Sequence, residues 1–327
     1  MIYPVLTYSR NLGDFTHDLK TLHQNGLKGL RLIYKGKTEE AFTARLEEIQ
    51  GKLQKENLEL DIWIDLPGKK PISGDLGSGL DVQAGMEIHL SDREMETSAP
   101  LIPTVNFFTH ASFPELTTGD IISIADGELN LRIKEVQETC ISCEALNSFF
   151  LTSNRSLNVK SKHFDLEANS EADLQFVSNL QETRSNVKLV VSFARKAADL
   201  LKLKTLQPNL EVIPKIETPV NEQDLLGILA CCETVLLGRG DLSIALKPNE
   251  LFAFQQHLIH LCQKHGKQLV VGTGLLTTIS DKQDPTIAEV MDYSQLRHAG
   301  VNGFLLAGSN ALNYPLETLK FMRKFEK

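Results

Sequence analysis

The residues best suited to chemistry are ionisable side chains at the ends of two otherwise apolar segments. Lys215 and Glu217 stand two residues apart where the apolar run 210–216 ends, so on a β-strand their side chains would point to the same face. Unpaired charge is costly to bury, so two such groups on one face of an apolar strand indicate a function. Asp241 follows the next apolar run, 234–237, and adds a second carboxylate.

Glu217 and Asp241 form a candidate site for Mg²⁺ or Mn²⁺, because these hard cations bind oxygen ligands and usually keep positions for substrate oxygens and water. Gly238 and Gly240 stand near them and would let the backbone approach a ligand closely. A competing structural interpretation is an ion-pair network of Lys215 with the two carboxylates that closes the end of a barrel. The spacing of the three charged residues favours the functional interpretation.

Strand and helix patterns alternate along most of the chain and would position these residues. Apolar, β-branched runs that alternate with amphipathic helical patterns are typical of βαβ units and a parallel sheet. Three predicted strands precede an interruption and five follow it, so eight βα units predict a closed barrel with functional residues at the C-terminal strand ends. The predicted strands are 2–7, 29–34, 58–66, 189–193, 210–216, 234–237, 268–273 and 303–306.

The interruption after the third strand has a different composition. It is rich in Gly, Ser and Thr, contains short alternating runs and lacks a long helical pattern. Asp126-Gly127 between two apolar runs is a strong signal for a β-hairpin. The sequence therefore predicts an α/β protein with a (β/α)8 TIM barrel. The barrel is formed by residues 1–69 and 161–327, and a small β domain is inserted over residues 70–160.

Length, composition and charge exclude several classes of protein. The chain has 327 residues, of which 42% are hydrophobic and 23% charged, as in an ordinary globular protein. The net charge of −8 argues against a nucleic-acid partner, which needs a basic surface. No run reaches the ~18 apolar residues of a membrane helix, and no signal-peptide pattern opens the sequence. Five cysteines without a secretion signal favour reduced thiols and a cytoplasmic protein.

Two motifs at the strand ends are similar to signature segments of a known family. Residues 213–217 and 238–242 closely resemble the Lys-x-Glu and Ala-Arg-Gly-Asp-Leu-Gly segments of pyruvate kinases. The resemblance extends over the whole chain and implies a TIM barrel of the phosphoenolpyruvate/pyruvate type, with a small β-barrel inserted as a lid and an active site for phosphoenolpyruvate or pyruvate. The further collinear segments are Gly29-Leu30-Arg31-Leu32, Asp65-Leu66-Pro67-Gly68, Ala125-Asp126-Gly127, Ser192-Phe193-Ala194-Arg195, Asp284-Pro285-Thr286-Ile287 and Tyr314-Pro315-Leu316-Glu317.

The resemblance implies roles for the residues that would handle the metal and the enolate. Glu217 and Asp241 would hold the divalent metal that chelates the substrate. Lys215 would contact the transferring phosphoryl group and the enolate oxygen, where it supplies positive charge as negative charge develops. Thr273 and the backbone N–H groups around Gly240 and Asp241 would bind the substrate carboxylate. The remaining substrate-site assignments are Arg31 at the phosphate and, in the pocket wall, Phe193 and Ser192.

The positions that bind a monovalent cation in the family are altered in this chain. They read Ile33, Lys35, Asp65 and Leu66, so three of the four are not usable side-chain oxygen ligands. The family's glutamate near that site is Lys70. A lysine ammonium at Lys35 or Lys70 could replace K⁺ as a fixed charge, so the sequence predicts a protein that does not require K⁺.

The positions that contact the nucleotide in the family are altered as well. Residues 9–12 and 307–310 depart from the family's segments, and Gly36 and Ile72 stand where the family has a histidine and an arginine. Arg155, near the lysines of the predicted lid, is the position that keeps a basic group. These replacements argue against ADP binding in the family's manner.

Three functions are compatible with this pattern. The first is a pyruvate kinase-like transfer of a phosphoryl group between phosphoenolpyruvate and a nucleoside diphosphate, with Mg²⁺ or Mn²⁺. The second is a metal-dependent lyase or aldolase that uses the same pyruvate enolate, which a Lewis-acidic metal suffices to stabilise. The third is a non-catalytic homologue that binds a ligand, and the intact set of Lys215, Glu217, Asp241 and Thr273 argues against it. We favour the pyruvate kinase-like enzyme.

The expected partners follow from this interpretation. They are phosphoenolpyruvate, pyruvate or another 2-keto acid, with neither nucleic acid nor membrane, and a homo-oligomer is left open. The sequence ends at the last predicted barrel helix, 315–325. We therefore expect a two-domain enzyme without the family's C-terminal domain and without the allosteric control that this domain usually carries.

Overall fold

The computed structural model of the protein describes residues 2–8, 15–34, 39–91, 103–108, 115–137, 140–160, 162, 168–180, 186–280, 283–307 and 309–325. The chain divides into two compact units. The barrel unit comprises Met1–Gly68, Ala168–Arg239 and Phe252–Lys327. The second unit comprises Lys69–Glu167 and Gly240–Leu251.

Strands and helices alternate in the barrel unit, whereas the second unit is mainly β-structure. The strands in chain order are β1 (Tyr3–Thr7), β2 (Gly29–Ile33), β3 (Asp61–Leu66), β4 (Ile72–Ser73), β5 (Leu80–Val82), β6 (Glu87–Ser91), β7 (Thr104–Phe108), β8 (Ile121–Ile124), β9 (Leu129–Val136), β10 (Ile141–Ala145), β11 (Phe149–Leu151), β12 (Leu157–Val159), β13 (Val187–Val191), β14 (Glu211–Ile216), β15 (Thr234–Gly238), β16 (Gln268–Gly272) and β17 (Gly303–Leu306). The α-helices are α1 (Phe15–Gln24), α2 (Glu39–Lys55), α3 (Glu171–Asn179), α4 (Ala197–Leu206), α5 (Glu222–Ala230), α6 (Arg239–Ala245), α7 (Pro248–Lys264), α8 (Ile287–His298), α9 (Ser309–Leu312) and α10 (Pro315–Arg323).

Eight parallel strands close into a barrel in the order β1-β17-β16-β15-β14-β13-β3-β2. The first and last strands complete the cylinder, with Tyr3 opposite Gly303 and Leu6 opposite Leu306. These strands are nearly continuous apolar runs, as expected where both faces of a parallel sheet are buried. The predicted (β/α)8 barrel is confirmed, and so are the three strands before the interruption and the five after it.

The barrel interior is filled by one side chain from each of seven strands. In the eighth strand, β2, a Cβ on Gly29 would lie 3.3 Å from Cγ2 of Val5 and 3.6 Å from Nε1 of Trp63, so glycine leaves room for these neighbours. Close packing of this layer leaves the polar side chains at the two ends of the barrel. The buried cluster consists of Val5, Trp63, Val190, Ile213, Leu236, Val270 and Leu305.

The second unit contains a seven-stranded, barrel-like sheet in the order β12-β8-β9-β10-β6-β7-β4 and a two-stranded ribbon of β11 and β5. The strands β8 and β9 pair antiparallel across a short 3₁₀ turn, Ala125–Gly127, which is the predicted hairpin. The side chains of Ile122, Leu131 and Cys143 are fully buried in this unit. A small inserted β domain is therefore present, as predicted from the change of composition.

Short polar signals explain where several barrel helices begin. Thr286 precedes α8 and accepts a hydrogen bond from the backbone N–H of Glu289, whose carboxylate accepts one from the N–H of Thr286. Ser170 and Asp173 form the same capping box before α3. Within the described ranges, no helix combines the length and apolarity needed to cross a membrane.

Candidate active site

Both ends of the barrel carry charged residues that pair with one another, and one such network lies at the N-terminal end of the strands. Lys188 lies 2.8 Å from Asp61 and 2.9 Å from Glu211, which also accepts a hydrogen bond from Thr234 at 2.6 Å. The hydroxyl of Tyr3 donates to Asp61. This network closes the end of the barrel that usually serves stability, whereas active sites of such barrels lie at the C-terminal strand ends.

At the C-terminal end of the strands, one carboxylate lies between two cations. Nζ of Lys215 is 3.1 Å from Oδ1 and 3.0 Å from Oδ2 of Asp65. Nε and Nη2 of Arg31 each lie 2.6 Å from Oδ2 of the same residue. The hydroxyl of Ser192 donates to Oδ1 of Asp65 at 3.1 Å. The site thus brings together four residues that the sequence analysis named: Arg31, Asp65, Ser192 and Lys215.

Asp65 stays ionised although it is only 2% exposed. Burial by itself would raise the pKa of its carboxyl group, but the charges of Arg31 and Lys215, with their hydrogen bonds, outweigh burial and lower the pKa below its usual value. Arg31 also donates to Oγ1 of Thr7 at 3.2 Å. The carboxylate therefore holds both cations in defined orientations at the end of the barrel.

Glu217 lies on the other side of the Lys215 ammonium, with Oε1 at 3.4 Å from Nζ. Its Oε2 accepts a hydrogen bond of 3.3 Å from the backbone N–H of Phe193. Phe193 is buried and has a φ of 57°, a left-handed conformation that costs a non-glycine residue about 1–3 kcal/mol and is concentrated at functional sites. Lys215 and Glu217 thus share one side of the chain at the end of β14, as their spacing predicted.

Gly238 also makes room for a side chain of the site. A Cβ at this position would lie only 2.7 Å from Cγ of Glu217. The glycine therefore makes room for the buried Glu217 side chain. Any larger residue at this position would displace Glu217.

Thr273 follows β16 directly and is exposed. Its φ is 72°, and Gly274 after it has a φ of 69°. The carbonyl groups of both residues accept hydrogen bonds of 3.1 Å from the guanidinium of Arg239. The turn that carries Thr273 thus has a strained backbone and is held by a side chain from the end of β15.

In the second unit, Asp241 lies in the first turn of α6, next to Gly240. Oδ1 of Asp241 is 2.5 Å from Nζ of Lys70 and accepts a hydrogen bond of 2.9 Å from Nδ2 of Asn158. Lys70 therefore neutralises the carboxylate that the sequence analysis assigned to the metal. Asn158 was missed, although its place between the buried Leu157 and Val159 of β12 puts it on the opposite face of that strand.

Other predicted positions are less informative. Arg155 donates from Nε to Oγ1 of Thr152 at 2.8 Å. Ile33 is 41% exposed and Leu66 is fully buried, and neither side chain carries an oxygen. Lys35, Gly36 and residues 9–12 and 308 lie outside the described residues. Across the portion of the chain that the structure describes, no group of three or more His, Cys, Asp or Glu side chains is close enough to hold a metal ion.

The fold and the site define a (β/α)8-barrel protein with an inserted β domain and a cluster of paired cations and carboxylates at the C-terminal strand ends. Residues 11–319 match the family model described as the barrel domain of pyruvate kinase. Because this match covers most of the chain, the protein belongs to the pyruvate kinase family, as its motifs predicted.

Curated relatives support this assignment. The chain is 27% identical over 316 residues to a pyruvate kinase of Thermococcus litoralis, which covers 94% of this chain and 66% of the relative. It is 25% identical over 314 residues to a pyruvate kinase of Sporosarcina psychrophila, covering 93% and 53%. It is 29% identical over 275 residues to the chloroplastic pyruvate kinase isozyme G of Nicotiana tabacum, covering 82% and 48%. The chain thus spans between about half and two thirds of the length of these relatives.

Proposed function

We propose that this protein is an enzyme that transfers a phosphoryl group between phosphoenolpyruvate and a nucleoside diphosphate, through the enolate of pyruvate. The observation that carries the proposal is the buried ammonium of Lys215, which lies within 3.1 Å of both Asp65 oxygens and 3.4 Å from Glu217. A fixed cation at the C-terminal end of a barrel strand suits a reaction in which negative charge develops on a substrate oxygen. The relatives named pyruvate kinase support the same reaction.

In this proposal Lys215 stabilises the enolate oxygen and Arg31 binds the phosphate. The side chains of Lys215 and Arg31 are 9% and 14% exposed, so water screens their charges only weakly. Asp65 contacts both cations and keeps them oriented before substrate arrives. A charge that is already oriented costs little reorganisation when the transition state forms, and this preorganisation is the main contribution that we assign to the three residues.

Thr273 is proposed to bind the substrate carboxylate through its exposed hydroxyl, together with backbone N–H groups around Gly240 and Asp241. Phe193 and Ser192 are proposed to line the pocket. Ser192 already donates to Asp65, so its hydroxyl proton is directed towards that carboxylate. Substrate specificity would then come from the phosphate and carboxylate contacts at opposite ends of a small 2-keto acid or its phosphoenol form.

The resemblance to pyruvate kinases assigns a divalent cation to Glu217 and Asp241, and the chemistry of these two side chains fits that assignment. Mg²⁺ is commonly bound by one or two carboxylates together with substrate oxygens and water, and the carboxylates of Glu217 and Asp241 supply that number. When bound, the metal acts as a Lewis acid on substrate oxygens. Glu217 is buried and its Oε2 is oriented by the N–H of Phe193, whereas Asp241 is held by Lys70 and Asn158. Lys215 beside Glu217 and Lys70 beside Asp241 therefore compete with the metal for these carboxylates.

Binding and turnover measurements test the proposal. We expect Mg²⁺-dependent binding of oxalate, an analogue of the enolate, by calorimetry, binding of ADP, and formation of pyruvate from phosphoenolpyruvate. Lys215→Met should reduce turnover by at least about a thousandfold, the scale of losing a preorganised electrostatic group. Lys202→Met, on the exposed face of α4, serves as the matched control and should leave turnover unchanged. Oxalate and ADP binding without pyruvate formation would contradict the kinase reaction.

A second candidate function is a metal-dependent lyase or aldolase that uses the same enolate without a nucleotide. It is favoured by the altered nucleotide positions, of which Ile72 carries no charge and Arg155 donates to Thr152. Binding of oxalate and pyruvate without ADP would support it. If no metal-dependent ligand binding is observed, the non-catalytic homologue is the remaining interpretation.

A further inference from the structure

The turn after β16 has an unusual backbone that must be held by its surroundings. Thr273 and Gly274 both adopt positive φ angles, 72° and 69°, and Leu276 follows with 51°. A positive φ is unfavourable for a β-branched residue such as threonine and costs about 1–3 kcal/mol. Such a conformation persists only where neighbouring contacts determine it. Side chains at the start of α6 and on α8 supply those contacts.

Arg239 supplies the contacts at the start of the turn. Its Nε donates to the carbonyl oxygen of Thr273 and its Nη2 donates to that of Gly274, each at 3.1 Å. The side chain is only 13% exposed. Because the guanidinium is planar and rigid, two donors on it fix the relative orientation of the two carbonyl groups.

Asp292 holds the same guanidinium through its two terminal nitrogens. Its Oδ1 accepts from Nη1 at 3.0 Å and its Oδ2 accepts from Nη2 at 2.9 Å, a bidentate pair. Asp292 lies on α8, so Arg239 connects that helix to the turn. The nitrogens Nε, Nη1 and Nη2 of Arg239 all donate within the protein, so the side chain is occupied with the turn and with α8.

Glu289, three residues before Asp292 on α8, holds the next part of the same loop. Its carboxylate accepts hydrogen bonds from the backbone N–H of Thr278 at 3.0 Å and from the hydroxyl of Thr277 at 2.9 Å. Although burial raises the pKa of Glu289, hydrogen bonds from Thr278 and Thr286 lower it to about 2. Both acidic residues of α8 are therefore used to hold the segment that follows β16.

We propose that Arg239 is a positioning residue for substrate binding, which acts by holding the backbone of Thr273 and Gly274 so that the Thr273 hydroxyl faces the substrate carboxylate. Asp292 orients Arg239 in this arrangement. The inference rests on the proposed function, because it assigns the carboxylate to Thr273. It goes beyond the proposed function because it assigns the placement of the Thr273 hydroxyl to Arg239 and Asp292, which do not themselves contact the substrate.

A double-mutant cycle tests whether Arg239 acts through Thr273. We expect Arg239→Met and Thr273→Ala each to weaken Mg²⁺-dependent oxalate binding by about tenfold, equivalent to ~1.4 kcal/mol. The double variant should bind about as weakly as either single variant, since residues that act as a unit are not additive. Arg239→Lys should recover little, because a lysine cannot make the four hydrogen bonds of the guanidinium. A hundredfold loss in the double variant overturns the proposal.

The controls separate positioning from folding and from failure of the proposed function. Arg323→Met removes an exposed arginine that contacts the carbonyl of Gln24 and should leave oxalate binding unchanged. Asp292→Asn weakens the Arg239–Asp292 pair with a smaller change of shape than Arg239→Met. It replaces Arg239→Met in the test if that variant proves unstable, and it should also weaken oxalate binding. In the ligand-free protein, hydrogen exchange of the backbone amides of residues 273–278 should be faster in Arg239→Met and in Asp292→Asn, but not in Arg323→Met. If exchange in Arg239→Met and Asp292→Asn is unchanged, the positioning role is overturned, even if oxalate binds. If exchange accelerates in these variants but the unmodified protein does not bind oxalate, the proposed function is overturned.

Discussion

At the scale of single residues, Asp65 is the carboxylate that holds two cations of the candidate site in the barrel unit. It is buried, yet it accepts hydrogen bonds from Arg31, Lys215 and Ser192. Removing one partner of a buried ion pair is costly, because it leaves the other charge without compensation. Here the loss of one carboxylate would deprive both Arg31 and Lys215 of the charge that they share. Asp65 therefore stabilises the site as well as orienting it.

The substitution Asp65→Asn should lower the free energy of unfolding by about 3 kcal/mol at pH 7. The pKa of Asp65 is lowered in the folded protein, so its contribution is complete above the unfolded value of about 4 and is lost as the pH falls through the folded value. The difference between the two proteins should therefore shrink below about pH 4. Urea denaturation at several pH values measures this, with the exposed Asp81→Asn as the control. A difference that does not change with pH would contradict the assignment.

Lys70 provides a second prediction at this scale. Its ammonium is 2.5 Å from Oδ1 of Asp241, so it competes with any divalent cation for that carboxylate. Lys70→Met should therefore raise the affinity for Mn²⁺, by about tenfold if one ion pair of ~1.4 kcal/mol is released. Calorimetric titration with Mn²⁺ alone gives the affinity. Lys134→Met, which breaks a more exposed pair with Glu144, is the matched control and should have no effect. Weaker Mn²⁺ binding in Lys70→Met would show that the lysine supports the metal site.

Replacing K⁺ by tetramethylammonium should leave oxalate affinity and turnover unchanged. The reason is that a lysine, Lys35 or Lys70, is proposed to supply the fixed positive charge, while Ile33 and Leu66 offer no side-chain oxygen to a monovalent cation. Titrating KCl at constant ionic strength against tetramethylammonium chloride checks this. Stimulation by K⁺ would show that a monovalent-cation site has been retained.

At the scale of secondary-structure elements, helices are positioned by contacts with strand ends as much as by their own propensity. The helix α8 contributes two acidic residues, Glu289 and Asp292, to the segment after β16. The helix α2, in contrast, buries Leu46, Ile49 and Leu53, and its other residues are half-buried or exposed. The exposed part of α2 also contains Gly51, which has no packing reason to be glycine, since a Cβ there would meet nothing within 4 Å.

Gly51→Ala should therefore stabilise the protein. Alanine has a higher helix propensity than glycine by about 1 kcal/mol and restricts the unfolded chain, and the added methyl group meets no neighbour. We expect the midpoint of thermal unfolding to rise by about 2 °C, measured by circular dichroism. A lower midpoint would indicate that glycine is needed in α2 for a reason other than space.

At the scale of the whole molecule, the barrel depends on pairing between the first and last strands. Gly303 is the first residue of β17 and lies opposite Tyr3. A Cβ on Gly303 would lie 2.5 Å from the backbone oxygen of Tyr3 and 3.0 Å from Cγ2 of Val270. Backbone cannot yield to this contact as a flexible side chain would, so the closing strand would have to move.

Gly303→Ala should lower the free energy of unfolding by about 2 kcal/mol or more, in the range of overpacking. The same measurement on Gly51→Ala, an identical chemical change at an open position, should give a change of opposite sign. Hydrogen exchange should accelerate at β1 and β17 more than at β3 and β13, because the strain lies at the closure. A stability equal to that of the unmodified protein would contradict the role of Gly303.

The strand pattern was predictable because each strand is a local apolar run. The predicted strand 234–237 corresponds to β15, which extends one residue further. The predicted strand 58–66 corresponds to β3, which is shorter and comprises Asp61–Leu66. The helix α6 was missed, because its seven residues follow a strand end without a periodic apolar pattern. The candidate site was predictable for Lys215 and Glu217, whose side chains are related by local strand geometry.

The contacts that define the site join residues far apart in the chain, so local sequence patterns could not predict them. Asp65 meets Lys215 across 150 positions and Asp241 meets Lys70 across 171. Neither pairing follows from spacing, since opposite charges can combine in many ways until the strands are placed. The same holds for Arg239 and Asp292, which are 53 positions apart.

By itself the sequence determined the barrel, the inserted β domain, the family and the residue types at the strand ends. It could do so because strand periodicity, turn residues and collinear motifs are encoded locally. The tertiary structure decided which cation each carboxylate holds: two cations on Asp65, a lysine of the second unit on Asp241 and an Arg–Asp clamp behind Thr273. Those pairings depend on distances of about 3 Å between distant segments, and only the closed barrel and the packed second unit set such distances.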